Sequence, residues 1–369
     1  MPNLIISTCG TSILTNQAPE DLRKLLNKYS NVKKPTECPD NHREMIEYHL
    51  TQRLTEILEA SDSDLAKFSA EMNALLKFYG DNKKNQKQDM HILIHTDTWL
   101  GRETGNALKA ILEKQGFSVD TPTITDLRTE NIQEFQLALS ELAQWATTDI
   151  KAYKNKNYKI IFNLTGGFKS IQGFMQSLAM LYADESIYVF ETGKELLSLP
   201  RLPIKLDAKE VVKANSEVLR ALSLNLPLPY NKLLADLPET WLLKVDNDTT
   251  LSPWGEVIWQ DYKDQIYANE LLDSPTERIK FEPSFKESVK KIESDRYILL
   301  NQQIDKLATY LNSGFTKSLK SLDVKSLGTK YKGSTHEFDA WHDQKAMRVF
   351  GRLDGNTFIC DRLDDGLGH

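Results

Sequence analysis

The chain has 369 residues, 40% of them hydrophobic, and a formal net charge of −6. That length holds two or three domains with a sizeable core, and the acidic balance excludes a protein whose whole surface grips nucleic acid, though not a local basic patch. The three cysteines, Cys9, Cys38 and Cys360, form an odd set without metal-ligand spacing, so reduced thiols and a cytoplasmic location are expected.

The opening MPNLIISTCGTS lacks the charged start and long apolar stretch of a signal peptide. No apolar run approaches the ~20 residues of a membrane span, so no membrane partner is expected. Residues 1 to about 204 alternate short apolar runs with helical patterns. Strands are predicted at Leu4–Ser7, His91–His95, Ser118–Val119, Lys159–Asn163 and Ile187–Glu191, and helices near 41–59, 62–79, 102–115, 131–149 and 170–184. Such alternation predicts a mostly parallel, doubly wound α/β sheet, whose ligands bind beyond the carboxyl ends of the strands.

After the stretch LPRLP at 199–203 the pattern changes. Residues 205–285 read as two short helices (208–222, 229–236), a hairpin with its polar tip at Asp246–Asp248, and a helix from 254 to 272. This is a winged helix-turn-helix pattern, or a connector of that shape; it lacks a basic recognition helix, so DNA is not the expected partner. Residues 286–369 read as a small α+β domain: a long amphipathic helix from Glu287 to Leu311, then strands at 336–341, 346–353 and 357–362, with Asp354-Gly355 turning the last hairpin.

Three strand ends converge on one candidate pocket. STCGTS follows the first strand, HTDT the second, and NLTGGFKS (163–170) the fourth. Backbone amides at glycine turns and helix N-termini make anion sites, and a lysine just inside the helix adds a full charge. Hydroxyls and Asn163 suit sugars and base edges. The pattern is neither GxxxxGK with a following Ser or Thr nor GxGxxG; glycines that merely let helix and strand pack closely are the bland alternative.

STCGTS, HTDT followed by Gly101, and NLTGGFK in combination resemble the CARF domain of CRISPR-associated proteins. LPRLPI and LSPWGEVIW (251–259) are similar to the linker and winged-helix part of the same family, so that the likeness covers roughly residues 1–285. The resemblance implies a Rossmann-like sensor domain over 1–204, acting as a homodimer that binds a cyclic oligoadenylate across its two-fold axis, cyclic tetra-adenylate being the family favourite. No cofactor or metal is implied. Carried over by position, the contacts are Gly10, Thr11, Ser12, Thr96, Asp97, Thr98, Asn163, Thr165, Gly166, Gly167 and Lys169.

In the C-terminal part, residues 316–352 hold six lysines and two arginines against four acids, a locally basic stretch in an acidic chain. Period-two alternation puts Glu337, Asp339 and Trp341 on one face of their strand and Phe338 and Ala340 on the other, while Arg348, Phe350 and Arg352 share a face. Carboxylates and arginines on one sheet face can perform acid–base chemistry on a phosphodiester, and a route in which the RNA 2′-hydroxyl attacks the adjacent phosphate is expected. A merely solvated charged sheet is the alternative.

HEFDAW, MRVFGRLDGNTFIC and the terminal GLGH are similar to RelE-type mRNA interferases, which implies a metal-independent endoribonuclease acting on mRNA in the ribosome. RelE itself favours lysines where this chain has Glu337 and Asp339, which leaves the general base open among His336, Glu337 and Asp339. The resemblance implies Arg348 and Arg352 as transition-state stabilisers, His369 as general acid, and Lys330 and Lys332 as RNA contacts. Type III CRISPR antiviral defence follows from the two likenesses together. A CARF-type transcription regulator with an inert C-terminal part, and a ring nuclease that degrades its own cyclic ligand, are the competing readings.

Overall fold

The computed structural model describes residues 1–81, 87–190, 195–226, 234–246, 248–290, 292–315, 322–343 and 346–366. The chain divides into two compact units, Met1–Leu206 and Asp207–His369.

The first unit is built on a six-stranded sheet of order β3-β2-β1-β4-β5-β6: β1 (Asn3–Thr8), β2 (Met90–Ile94), β3 (Ser118–Asp120), β4 (Lys159–Asn163), β5 (Glu185–Val189) and β6 (Leu196–Pro200). β1 to β5 run parallel, with Ile6 opposite Ile92 on one side and Phe162 on the other. The strand order reverses between β1 and β4, which makes the crevice above their carboxyl ends the topological switch point. Leu4, Ile5, Ile6, Ile160, Ile161 and Phe162 are fully buried, the signature of strands covered on both faces. β6, not expected from the sequence, takes in Leu199 and Pro200, the start of the expected linker, and pairs antiparallel with β5 at the sheet edge, where Pro200 needs to donate no ladder bond.

The helices are α1 (Ser12–Thr15), α2 (Glu20–Lys28), α3 (Asp40–Glu59), α4 (Asp62–Phe68), α5 (Ala70–Tyr79), α6 (Trp99–Lys114), α7 (Ile132–Asn155) and α8 (Lys169–Tyr182). The single helix expected over 62–79 breaks at Ser69, whose extended backbone ends α4 and whose hydroxyl caps α5 by accepting from the Met72 amide at 3.1 Å.

In the second unit, α9 (Lys209–Ala214) and α10 (Ser216–Ser223) precede the hairpin β7 (Leu242–Val245) and β8 (Asp248–Leu251), then α11 (Pro253–Tyr267). Part of the helix expected over 229–236 lies outside the described residues; Leu234–Asp236 form a 3-10 turn. β9 (Ile279–Phe281), in the stretch expected as connector, joins the C-terminal sheet parallel to β13. α12 (Pro283–Val289) and α13 (Ser294–Asn312) replace the one long helix expected from Glu287.

The remaining strands are β10 (Lys325–Tyr331), β11 (Ser334–Trp341), β12 (Met347–Asp354) and β13 (Thr357–Asp365), giving a sheet of order β10-β11-β12-β13-β9. Leu300, Ile304, Leu307, Ala308 and Leu311 of α13 cover one face, packing with Phe338, Val349, Phe358 and Cys360. β10, not expected from the sequence, turns into β11 through Lys332 and Gly333, both at positive φ (49° and 95°).

No described helix is long and apolar enough to cross a membrane.

Candidate functional site

Two loops meet at the switch point of the N-terminal sheet. Gly10–Ser12 leaves β1 and Thr165–Phe168 leaves β4. Gly10 and Gly167 touch so closely that a Cβ on Gly10 would lie 2.9 Å from the Gly167 nitrogen. Gly167 has φ of +104°, which favours glycine on its own, and a Cβ there would strike Thr8. The Thr8 hydroxyl donates to the Gly166 carbonyl at 2.6 Å, tying the two strand ends together.

Beneath both loops lies Glu71 of α5, a fully buried carboxylate. Its Oε1 accepts from the Gly10 amide at 2.7 Å and its Oε2 from the Ser69 and Ser12 hydroxyls at 2.7 and 3.1 Å. Burial pushes this carboxyl up, and the Gly10 amide and Ser69 hydroxyl only partly pull it back. A Cβ on Gly166 would fall 1.9 Å from Glu71 Oε1, so glycine at 166 is what lets the second loop sit on the same carboxylate.

Of the residues expected here, Gly10, Thr11, Ser12, Thr165 and Gly167 are partly exposed and Lys169 is exposed. Lys169 opens α8, whose N-cap residue Phe168 supplies no side-chain acceptor. The Ile171 amide bonds back to the Phe168 carbonyl at 3.0 Å, and no N-cap side chain covers the first turn.

The other expected contacts serve the scaffold. Asn163 is fully buried and donates to the Glu71 carbonyl at 3.2 Å and the Ser7 hydroxyl at 3.3 Å. Thr98 is buried and caps α6 through the Gly101 amide, with Thr96 bonded to it at 2.9 Å. Asp97 is paired with Lys33 at 3.1 Å and Arg102 at 3.0 Å. Burial alone would raise the Asp97 carboxyl, but the Asp126 amide and these two cations hold it below the usual range. Thr96, Thr98 and Asn163 are therefore buried in the scaffold, and Asp97, though partly exposed, is held by its two cations.

In the second unit, the sheet face away from α13 carries a chain of charges. Arg348 donates to Glu337 Oε1 at 2.6 Å, pairs with Asp339 Oδ1 at 2.9 Å and reaches Asp323 at 3.4 Å. Asp339 Oδ2 is bonded to His342 Nε2 at 2.5 Å. Arg352 is paired with Asp361 at 3.0 Å and Glu282 at 3.1 Å. Lys332 meets Asp364 at 3.0 Å, and Lys330 is exposed on β10.

A register shift between Asp339 and Trp341 turns Trp341 to the core side, under Arg296, instead of the Glu337 face where strict alternation had put it. His336 also lies on the α13 side, lining a cavity of about 190 Å³ with Tyr310, Leu311 and Phe358. The structure thus separates His336 from Arg348. His369 lies outside the described residues. Among the described residues no group of three or more histidines, cysteines or carboxylates is arranged to hold a metal ion.

Residues 66–202 match the family model of a CRISPR-associated protein, Cas_APE2256. No curated protein matches the chain. Among solved structures, the chain is similar to Enterococcus italicus Csm6 bound to cyclic hexa-2′-fluoro-hexa-dAMP, with 11% identity and a TM-score of 0.29. That likeness covers 86% of this chain and 56% of the other, so this chain spans little more than half of that protein's length.

Two residues at these sites were not singled out from the sequence. Glu71 sits in a Ser-x-Glu start, which signals a helix N-terminus and nothing about a pocket, and the next strand begins only at Met90. His342 was legible only as one more C-terminal histidine, because the β-bulge that brings it over Asp339 leaves no signature in the sequence.

Proposed function

We propose that the N-terminal unit is a sensor for a cyclic oligoadenylate, cyclic tetra-adenylate foremost, in type III CRISPR defence, and that the C-terminal part responds by cutting mRNA on the ribosome. The observation that carries the reading is the opening of Gly10–Ser12 and Thr165–Lys169 onto one switch-point crevice, with an uncapped helix N-terminus and an exposed lysine beside it. Amides, hydroxyls and one cation suit a phosphodiester ring with ribose hydroxyls. The family match over residues 66–202, which spans β2 to β6, supports the CRISPR setting.

Two chains share one ligand, and residues 205–285 serve as connector rather than as a DNA reader. Cleavage needs no metal: the 2′-oxygen attacks the adjacent phosphorus, the bond to the 5′-oxygen breaks, and a 2′,3′-cyclic phosphate and a 5′-hydroxyl result. Arg348 and Arg352 offset the charge gained by the phosphorane, and Lys330 and Lys332 contact RNA. His369 gives the leaving 5′-oxygen its proton. The arginines are saturated by carboxylates in this structure, so an incoming phosphate must compete with Glu337, Asp339 and Asp361 for them.

The test is incubation of the full-length protein with ribosomes programmed with labelled mRNA, with and without cyclic tetra- or hexa-adenylate. Activator-dependent fragments ending in a cyclic phosphate are expected, unchanged by a chelator. Intact mRNA under both activators overturns the reading.

A further inference from the structure

We infer that His342 is a catalytic residue of the C-terminal site, the base that takes the proton of the attacking 2′-hydroxyl. This rests on the RNA-cutting reading above and settles which of its groups moves that proton.

The geometry forms a line of three side chains: the His342 imidazole bonded to Asp339 Oδ2 at 2.5 Å, and Asp339 Oδ1 paired with the Arg348 guanidinium at 2.9 Å. The carboxylate is 8% exposed and the guanidinium 13%, whereas the imidazole is 54% exposed. The two charged groups are thus anchored and the titratable ring is the accessible end. In the tautomer whose Nε2 donates to Asp339, Nδ1 carries the lone pair that meets the substrate, and the carboxylate stabilises the imidazolium that forms. Asp339 acts as a positioning residue, shared between the ring on its Oδ2 and Arg348 on its Oδ1.

The other bases weighed for this step fit it poorly. His336 faces the α13 side of the sheet. Glu337 is 2% exposed and bound to Arg348. In the step, the 2′-hydroxyl proton moves to His342 Nδ1 as the bond from the 2′-oxygen to phosphorus forms. The phosphorus–5′-oxygen bond then breaks, and the 5′-oxygen takes the proton assigned above to His369.

Single-turnover cleavage of labelled mRNA on programmed ribosomes, with full-length protein and cyclic tetra-adenylate, tests the assignment. His342→Ala should cut about 10²- to 10⁴-fold more slowly, and free imidazole should restore part of the rate through the space left at this exposed position. His342→Asn should unfold at the wild-type urea midpoint yet share the loss of rate. Asp339→Asn should slow cleavage without any response to imidazole. A His342→Ala protein that cuts at the wild-type rate, or whose loss imidazole leaves untouched, overturns the assignment. Wild-type protein that cuts nothing under cyclic tetra- or hexa-adenylate overturns the functional reading before any variant is compared.

Discussion

Lys169 and Glu71 occupy one crevice with opposite charges and opposite fates, the first exposed and the second wholly buried. The buried carboxylate holds the Gly10 amide, so in the proposed complex the ligand's phosphate would be met by the lysine and the first turn of α8. A charge-assisted hydrogen bond of this kind contributes about 2–3 kcal/mol. Lys169→Ala should therefore weaken cyclic tetra-adenylate binding by roughly 30- to 150-fold, with an unchanged unfolding midpoint; unchanged affinity in calorimetry would return the glycine loop to a packing role. Glu256 offers a pH test in the second unit. Burial pushes its carboxyl up to about 7, with Gln260, Lys263 and Ser223 only partly opposing. Below its ordinary value of 4.5 the group is protonated folded or unfolded, and above about 7 it is ionised in both. Between those limits the folded chain alone keeps the proton, so stability falls as pH rises, by about 3 kcal/mol over the window. Urea midpoints of the second unit at pH 5 and pH 8 should differ accordingly, and Glu256→Gln should flatten the difference.

Ser69 shows how a single hydroxyl can serve an element and a site together. It accepts from the Met72 amide to start α5 and donates to Glu71, which holds the Gly10–Ser12 loop. Ser69→Ala removes the cap and leaves one buried carboxylate oxygen short of a donor, a loss of about 1–3 kcal/mol; an unfolding midpoint equal to wild type would show that neither bond matters. The central strands were legible because β1, β2 and β4 are buried on both faces and read as unbroken apolar runs. β6 was not, since its exposed Leu197, Leu199 and Pro200 look like linker, nor was three-residue β9, which is too short to show a period. β10 was hidden by exposed polar residues and a Lys332-Gly333 turn that needs positive φ at a lysine. The same limit governs the sites. Motif spacing finds the loop glycines and Lys169, whereas the burial of Asn163, Thr96 and Thr98, the shift that swings Trp341 inward, and the pairing of His342 with Asp339 depend on register and packing that period counting cannot see.

Each chain brings one Lys169, one Gly10–Ser12 loop and one Thr165–Lys169 loop to the crevice. A cyclic tetra-adenylate carries four phosphates around a ring that can have two-fold symmetry. One chain's donors would satisfy part of that ring and leave the rest to water. Two chains related by a two-fold axis would present the same set twice, so the symmetric ligand and the proposed dimer would match and each half would gain from the other's presence. The consequence is a stoichiometry. Calorimetric titration should saturate at one cyclic tetra-adenylate per two chains, and light scattering at micromolar concentration should give a dimer with ligand bound. If ligand binds only when both halves are assembled, dilution of the protein should lower its apparent affinity, since fewer complete sites remain. Saturation at one ligand per chain, or a monomer that binds with undiminished affinity on dilution, would mean that a single crevice is sufficient and that the shared pocket is wrong.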